Sequence, residues 1–288
     1  MSSAPVARAV KSWKDAPWQL WFSQLGAVLR IELKKTLLMR RSIWIYLLAF
    51  APAALFAIDA LLKVSGRTGS IPESTEIFAY TFQVFYLRIG MFFACLGTFT
   101  WLFRGEIVEK SLHYYFLAPM RRELLVAGKF LAGFITTSFV FTTSVLLSFI
   151  FAYSESAAAR AFILHGPGLS HLTSYLLVTV LGCLGFGAIF LALSLLFKNP
   201  ILPGAVVLLW ETIHPVAPAL LQKFSVIFYL RQLSPVTIPP EGLMALFTVV
   251  AEPVSPWLAI PGLLVLSFAI LIFAAMRIRM TEISYLAD

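Results

Sequence analysis

Glu211 and His214 stand three residues apart in the stretch WETIHP, residues 210–215. On a helix that spacing sets both side chains on one face. A carboxylate and an imidazole so placed offer half of a dinuclear metal site, a proton-relay pair, or the polar lining of a wet vestibule or outer gate. The sequence has no second Glu-x-x-His to complete a dinuclear site, and His165 and His171 belong to a different segment. No metal site and no catalytic residue are therefore expected, and the vestibule or gate is the favoured reading. Cys95 and Cys183 lie in apolar runs without a CxxC or Cys/His cluster. Buried free thiols follow, rather than a disulfide framework or a zinc site.

Two further polar features fall inside apolar surroundings. Gly133, Thr137, Ser144 and Ser148 recur at helical spacing, so they share one face. Such a face lines a pathway or hydrogen-bonds a neighbouring helix. Asp59 and Arg88 sit at matching depth on successive apolar segments. Burying a charge in lipid is costly, and an opposite charge at the same depth lowers that cost. An intramembrane Asp59–Arg88 pair is the expectation.

These side chains need elements to hold them, and composition says which. Of 288 residues, 60% are hydrophobic and 12% charged. A soluble domain is typically about 25% charged, so the solvent implied is lipid. Six apolar segments stand out, at about 43–62, 78–103, 124–153, 172–197, 201–221 and 257–276. Each reaches across a hydrocarbon core of about 30 Å as a helix, and a helix satisfies its own backbone there. Residues 222–256 are rich in proline yet apolar. They read as an outer re-entrant connection of two short helices, near 222–233 and 241–251, because a long structureless loop is unusual. No secretory signal is expected, since the first apolar run begins only near Ile43.

Charge distribution orients the spans. With both termini inside, sixteen of the 22 Lys and Arg residues fall on the inner side, and the exceptions are Lys63, Arg67, Arg88, Arg160, Lys223 and Arg231. This is the positive-inside pattern of a multi-pass protein of the cytoplasmic (inner) membrane. It explains the net charge of +8 without nucleic acid. The division expected is a leader with an interfacial helix over 1–42 and a six-span domain over 43–288. Within 17–41, Trp18, Trp21, Phe22, Leu25, Val28 and Leu29 oppose Gln19, Ser23, Gly26, Arg30, Lys34 and Arg41. Aromatics on one face and basic residues on the other describe a helix lying in the membrane interface.

The segment 104–123 carries far more charge than a turn requires. Ile107, Leu112, Tyr115, Phe116 and Pro119 give it apolar surface, while Glu106, Glu109 and Lys110 are charged. A short amphipathic helix with exposed aromatics suits docking into a partner's groove. The run from Glu106 and Glu109 through Tyr115, Phe116, Ala118-Pro119, Arg121 and Arg122 to Gly128-Lys129 resembles the first cytoplasmic loop of type-2 ATP-binding cassette (ABC) transporter permeases. The interfacial elbow helix, the six spans and the apolar connection before the last span extend the likeness over nearly the whole chain. Lys110-Ser111 departs from the Gly-Thr of many members. The resemblance implies an all-α integral membrane protein that works as a dimer, with the pathway between its spans. Separate cytoplasmic ATPase subunits would dock on Glu106, Glu109, Leu112, Tyr115, Phe116, Pro119, Arg121 and Arg122. ATP and magnesium would bind those partners, because this chain holds no GxxxxGK[ST] phosphate loop. A secondary transporter, or an intramembrane enzyme built on Glu211 and His214, is the alternative.

Overall fold

The computed structural model describes residues 18–38, 42–63, 70–108, 117, 121–154, 157–236, 238 and 255–279. Within them every regular element is helical. In chain order these are α1 (Trp18–Leu38), α2 (Ile43–Lys63), α3 (Ile71–Tyr80), a π-helical segment (Thr81–Gly90) and α4 (Met91–Val108). Then come α5 (Arg122–Ala152), α6 (Ala157–His165), α7 (Gly168–Leu196) and α8 (Ile201–Ile213), a 3-10 turn (His214–Val216), α9 (Ala219–Gln222), α10 (Val226–Leu233) and α11 (Pro256–Arg279).

Five helical stretches are long and apolar enough to cross a membrane: Ile43–Leu62, Ile71–Glu106, Arg122–Ala152, Gly168–Leu196 and Pro256–Arg279. The expected span over 201–221 is not a single helix. α8 has 13 residues, about 20 Å at 1.5 Å each, which falls short of a roughly 30 Å core. It gives way at His214 because Pro215 has no N–H to donate, and the chain leaves helical geometry at Ala217, the residue before Pro218.

α5 and α7 form the centre of the bundle. α1, α2, α4 and α11 pack on α5, while α4, α10 and α11 pack on α7. The most apolar stretch of α7 is 67% buried, against 22% for α2 and α11, which present most of their surface outward. Between the first two spans and the centre lies an aromatic cluster. Phe78 and Phe82 meet Tyr175 at 5.0 and 4.6 Å between ring centroids, and Phe78 meets Phe149 edge-on at 5.3 Å. Arg122 Nη1 donates to the carbonyls of Ile278 and Arg279, at 3.3 Å each, and Arg279 pairs with Glu123. The C-terminus of α11 therefore meets the N-terminus of α5, and a cation there suits the exposed carbonyls of a helix end.

α10 departs from expectation in its burial. Val226 to Leu230 are all buried, packed against α7, α11 and the π segment. Gly185 permits the approach, since a Cβ at that position would lie 2.8 Å from Val226 Cγ1. The short helix expected near 222–233 is thus real but enclosed by protein, and the one near 241–251 lies outside the described residues.

Candidate functional site

The densest polar chemistry is where α1, α4 and α5 meet. Lys129, one turn beyond Leu125 on α5, is fully buried. Its ammonium donates to Glu32 Oε1 of α1 at 2.6 Å and to the Leu102 carbonyl of α4 at 2.9 Å. It also pairs with Glu106 Oε1 at 2.8 Å, and Lys35 of α1 reaches the same oxygen at 3.2 Å. Two cations and two carboxylates thus sum to no net charge. A buried cluster is tolerable only under that balance, because desolvating a lone ion costs several kcal/mol.

The sequence builds the cluster in a simple way. Trp21, Leu25, Val28 and Glu32 follow one stripe of α1, and Val28 and Glu32 are buried on it. Gly128, beside Lys129, lets α1 come close: a Cβ there would stand 2.7 Å from Val28 Cγ1. At the N-terminal end of the contact the Arg121 guanidinium lies 4.2 Å from the Trp21 ring centroid. α1 therefore rests Val28 and Glu32 on α5, while Trp18, Phe22 and Leu38 remain exposed.

This arrangement redistributes the residues read as a docking surface. Glu106 is 1% exposed and holds the base of the 104–123 segment. Arg121 covers Trp21 and Arg122 caps α11. Glu109, Leu112, Tyr115, Phe116 and Pro119 lie outside the described residues.

Glu211 and His214 do come together, with the His214 ring Nδ1 2.9 Å from the Glu211 backbone carbonyl. The carboxylate, however, is occupied. Ser225 Oγ donates to Oε2 at 2.6 Å, and the N–H groups of Val226 and Ile227 donate to Oε1 and Oε2 at 2.9 and 3.0 Å. Glu211 is an anionic cap on the first turn of α10, where free N–H groups and the helix dipole favour negative charge. It is 1% exposed, which is not the setting of an open vestibule. No ion pair joins Asp59 to Arg88. Asp59 lies on an exposed face of α2, while the Arg88 charge acts on Glu211, His214 and Arg231.

The small hydroxyls of α5 face neighbouring helices. Tyr86 Oη lies 2.7 Å from both Ser144 Oγ and Ser148 Oγ, and Ser144 donates to the Ala49 carbonyl of α2 at 2.6 Å. Thr137 bonds within α5 itself, donating to the Gly133 carbonyl at 2.9 Å. Of the two roles open to this face, helix packing is the one the Ser144 and Ser148 bonds perform. Sequence reasoning missed Glu32, Lys35, Tyr86 and Ser225, and read Lys129 only as the end of the loop motif. Glu32 alone left a signal: an acid on the apolar stripe of an amphipathic helix.

Cys95 and Cys183 are buried free thiols. No group of three or more His, Cys, Asp or Glu side chains among the described residues could hold a metal ion. Among the described residues every regular element is a helix, and five of these helical stretches are long and apolar enough to span lipid, which makes this a helical, multi-pass integral membrane protein. Compared with known protein families and with curated proteins, the chain matches none.

Proposed function

We propose that this chain is the membrane-spanning permease subunit of an ABC exporter. Two copies, identical or paired with a related chain, would form the pathway in the cytoplasmic membrane. Separate ATPase subunits carrying ATP and magnesium would dock on the 104–123 segment. The supporting observation is the Lys129 cluster. Glu106 near the start of the segment and Lys129 beyond its end are clamped to each other and to α1. Force applied to the segment would then reach α1, α4 and α5 together, as a lever anchored on both sides requires.

The path of the chain supports six crossings. α11 ends beside the start of α5, at the end where α4 and α5 flank the segment. Between α7 and α11 the chain must return to the far end, with α8 as the first part of that crossing. Both termini then fall on the side of 104–123, in keeping with the basic residues there. In this reading α1 is the elbow helix, and Glu109, Leu112, Tyr115, Phe116 and Pro119 make the contact with the ATPase. Glu106, Arg121 and Arg122 hold the segment's base. An intramembrane enzyme on Glu211 loses its support, because both carboxylate oxygens are taken.

The test is affinity purification from native membranes. An ATPase subunit should accompany the chain, and Glu109→Lys combined with Tyr115→Ala should abolish that association while both proteins remain in the membrane. Labelling of a cysteine placed at residue 113 from outside intact cells would overturn the reading.

A further inference from the structure

A half-open cavity of about 750 Å3 runs between α2 and α4. It lies within the roughly 300–1,000 Å3 range of small-molecule sites. Leu48 and Ala51 line it from α2, and Phe93, Gly97 and Trp101 from α4. Phe85 in the π segment also lines it, 17 residues from Leu102, so it extends roughly 20–25 Å along the helices. Its polar groups gather at one end, where Lys35 and Ser42 stand beside the Lys129 cluster.

We propose that this cavity holds one acyl chain of a membrane phospholipid, with the lipid phosphate against Lys35. The claim stands apart from the transport role. A long apolar slot facing the bilayer fills with hydrocarbon, because an empty one forfeits dispersion contacts and water finds too few polar partners there. A helix from a second copy, about 10 Å across, needs about twice this volume over the same length. Lys35 supplies the charge complement. The Glu106 oxygen it approaches at 3.2 Å is already held by Lys129 at 2.8 Å. Its ammonium carries three donors and its side chain is 30% exposed, so it has protons to offer a phosphate.

One detail of α4 points to an occupant. A Cβ added at Gly97 would meet no atom within 4 Å. The slot is thus left open at a position where a side chain would fit.

The experiment has two arms. Native mass spectrometry of the purified chain should show retained phospholipid, anionic in preference to zwitterionic. Gly97→Phe should lower that retention about tenfold, and Lys35→Ala should remove the preference for anionic headgroups. In parallel, the unaltered protein is reconstituted with an anionic phospholipid carrying a mid-chain diazirine and irradiated. Adducts should concentrate on residues 93–101. Equal retention by Gly97→Phe overturns the proposal. So do adducts spread evenly over the exposed face of α11, or cross-links between copies through Phe93→Cys.

Discussion

Glu106 and Glu211 are each 1% exposed, yet they are stabilised by different means. Glu106 sits among side-chain cations, with Lys129 and Lys35 sharing one of its oxygens. Glu211 draws on backbone N–H groups and a serine hydroxyl at the start of α10. The first arrangement joins three helices through side-chain charges that must stay balanced. The second joins α8 to α10 through dipoles fixed in the backbone. One end of the bundle is therefore sensitive to the removal of any single charge, and the other to the loss of a single cap.

Breaking the balance should produce the largest effect. Lys129→Met leaves Glu32 and Glu106 buried without their shared cation, a loss of about 3–5 kcal/mol for a broken buried pair. Little folded protein should survive detergent extraction, as read by size-exclusion chromatography. Adding Glu32→Gln and Glu106→Gln to Lys129→Met removes the orphaned charges and should restore monodisperse protein. If the triple variant behaves no better than the single one, charge balance is not what holds this end together.

Glu211→Ala should do less. It strands the N–H groups of Val226 and Ile227, at about 1–3 kcal/mol for unsatisfied buried groups. Thermal unfolding in detergent should shift down, and limited proteolysis should open the 217–225 stretch before any other. Cleavage that first appears near α1 would mean that Glu211 does not anchor α10. Tyr86→Phe comes next, at about 1 kcal/mol for the hydrogen bonds lost. Ser144 keeps its bond to the Ala49 carbonyl, so the same unfolding measurement should register a smaller shift than Glu211→Ala gives.

The spans were legible because hydropathy over some twenty residues is a local property. α2, α5, α7 and α11 begin and end within a few residues of where the apolar runs place them. α8 was harder, since Pro215 and Pro218 marked a break whose consequence depends on what lies beyond it. Both buried clusters were illegible for a related reason. Lys129 and Glu32 are 97 positions apart, and charge counting assigns each of them to a surface. Only the packing of α1 on α5, which Gly128 permits, turns two apparent surface ions into a buried pair. The π segment left no sequence signal at all. Its bonding sets Tyr86 toward α5 and lets Gln83 Nε2 reach the Val236 carbonyl at 2.6 Å.

The smallest effect sharpens the comparison most, because it tests whether α1 is held by the charge cluster alone. Arg121 stands over Trp21 at the opposite end of the α1–α5 contact from Lys35. It is exposed, so its cation–π contact is worth about 0.5–1 kcal/mol. Arg121→Ala should leave overall unfolding nearly unchanged. It should speed amide hydrogen exchange in the first two turns of α1, which that contact helps to restrain, while exchange around Glu32 stays slow. Uniform acceleration along α1 would show that the helix is bound as one unit, and that the Lys129 cluster does not fix its C-terminal half independently.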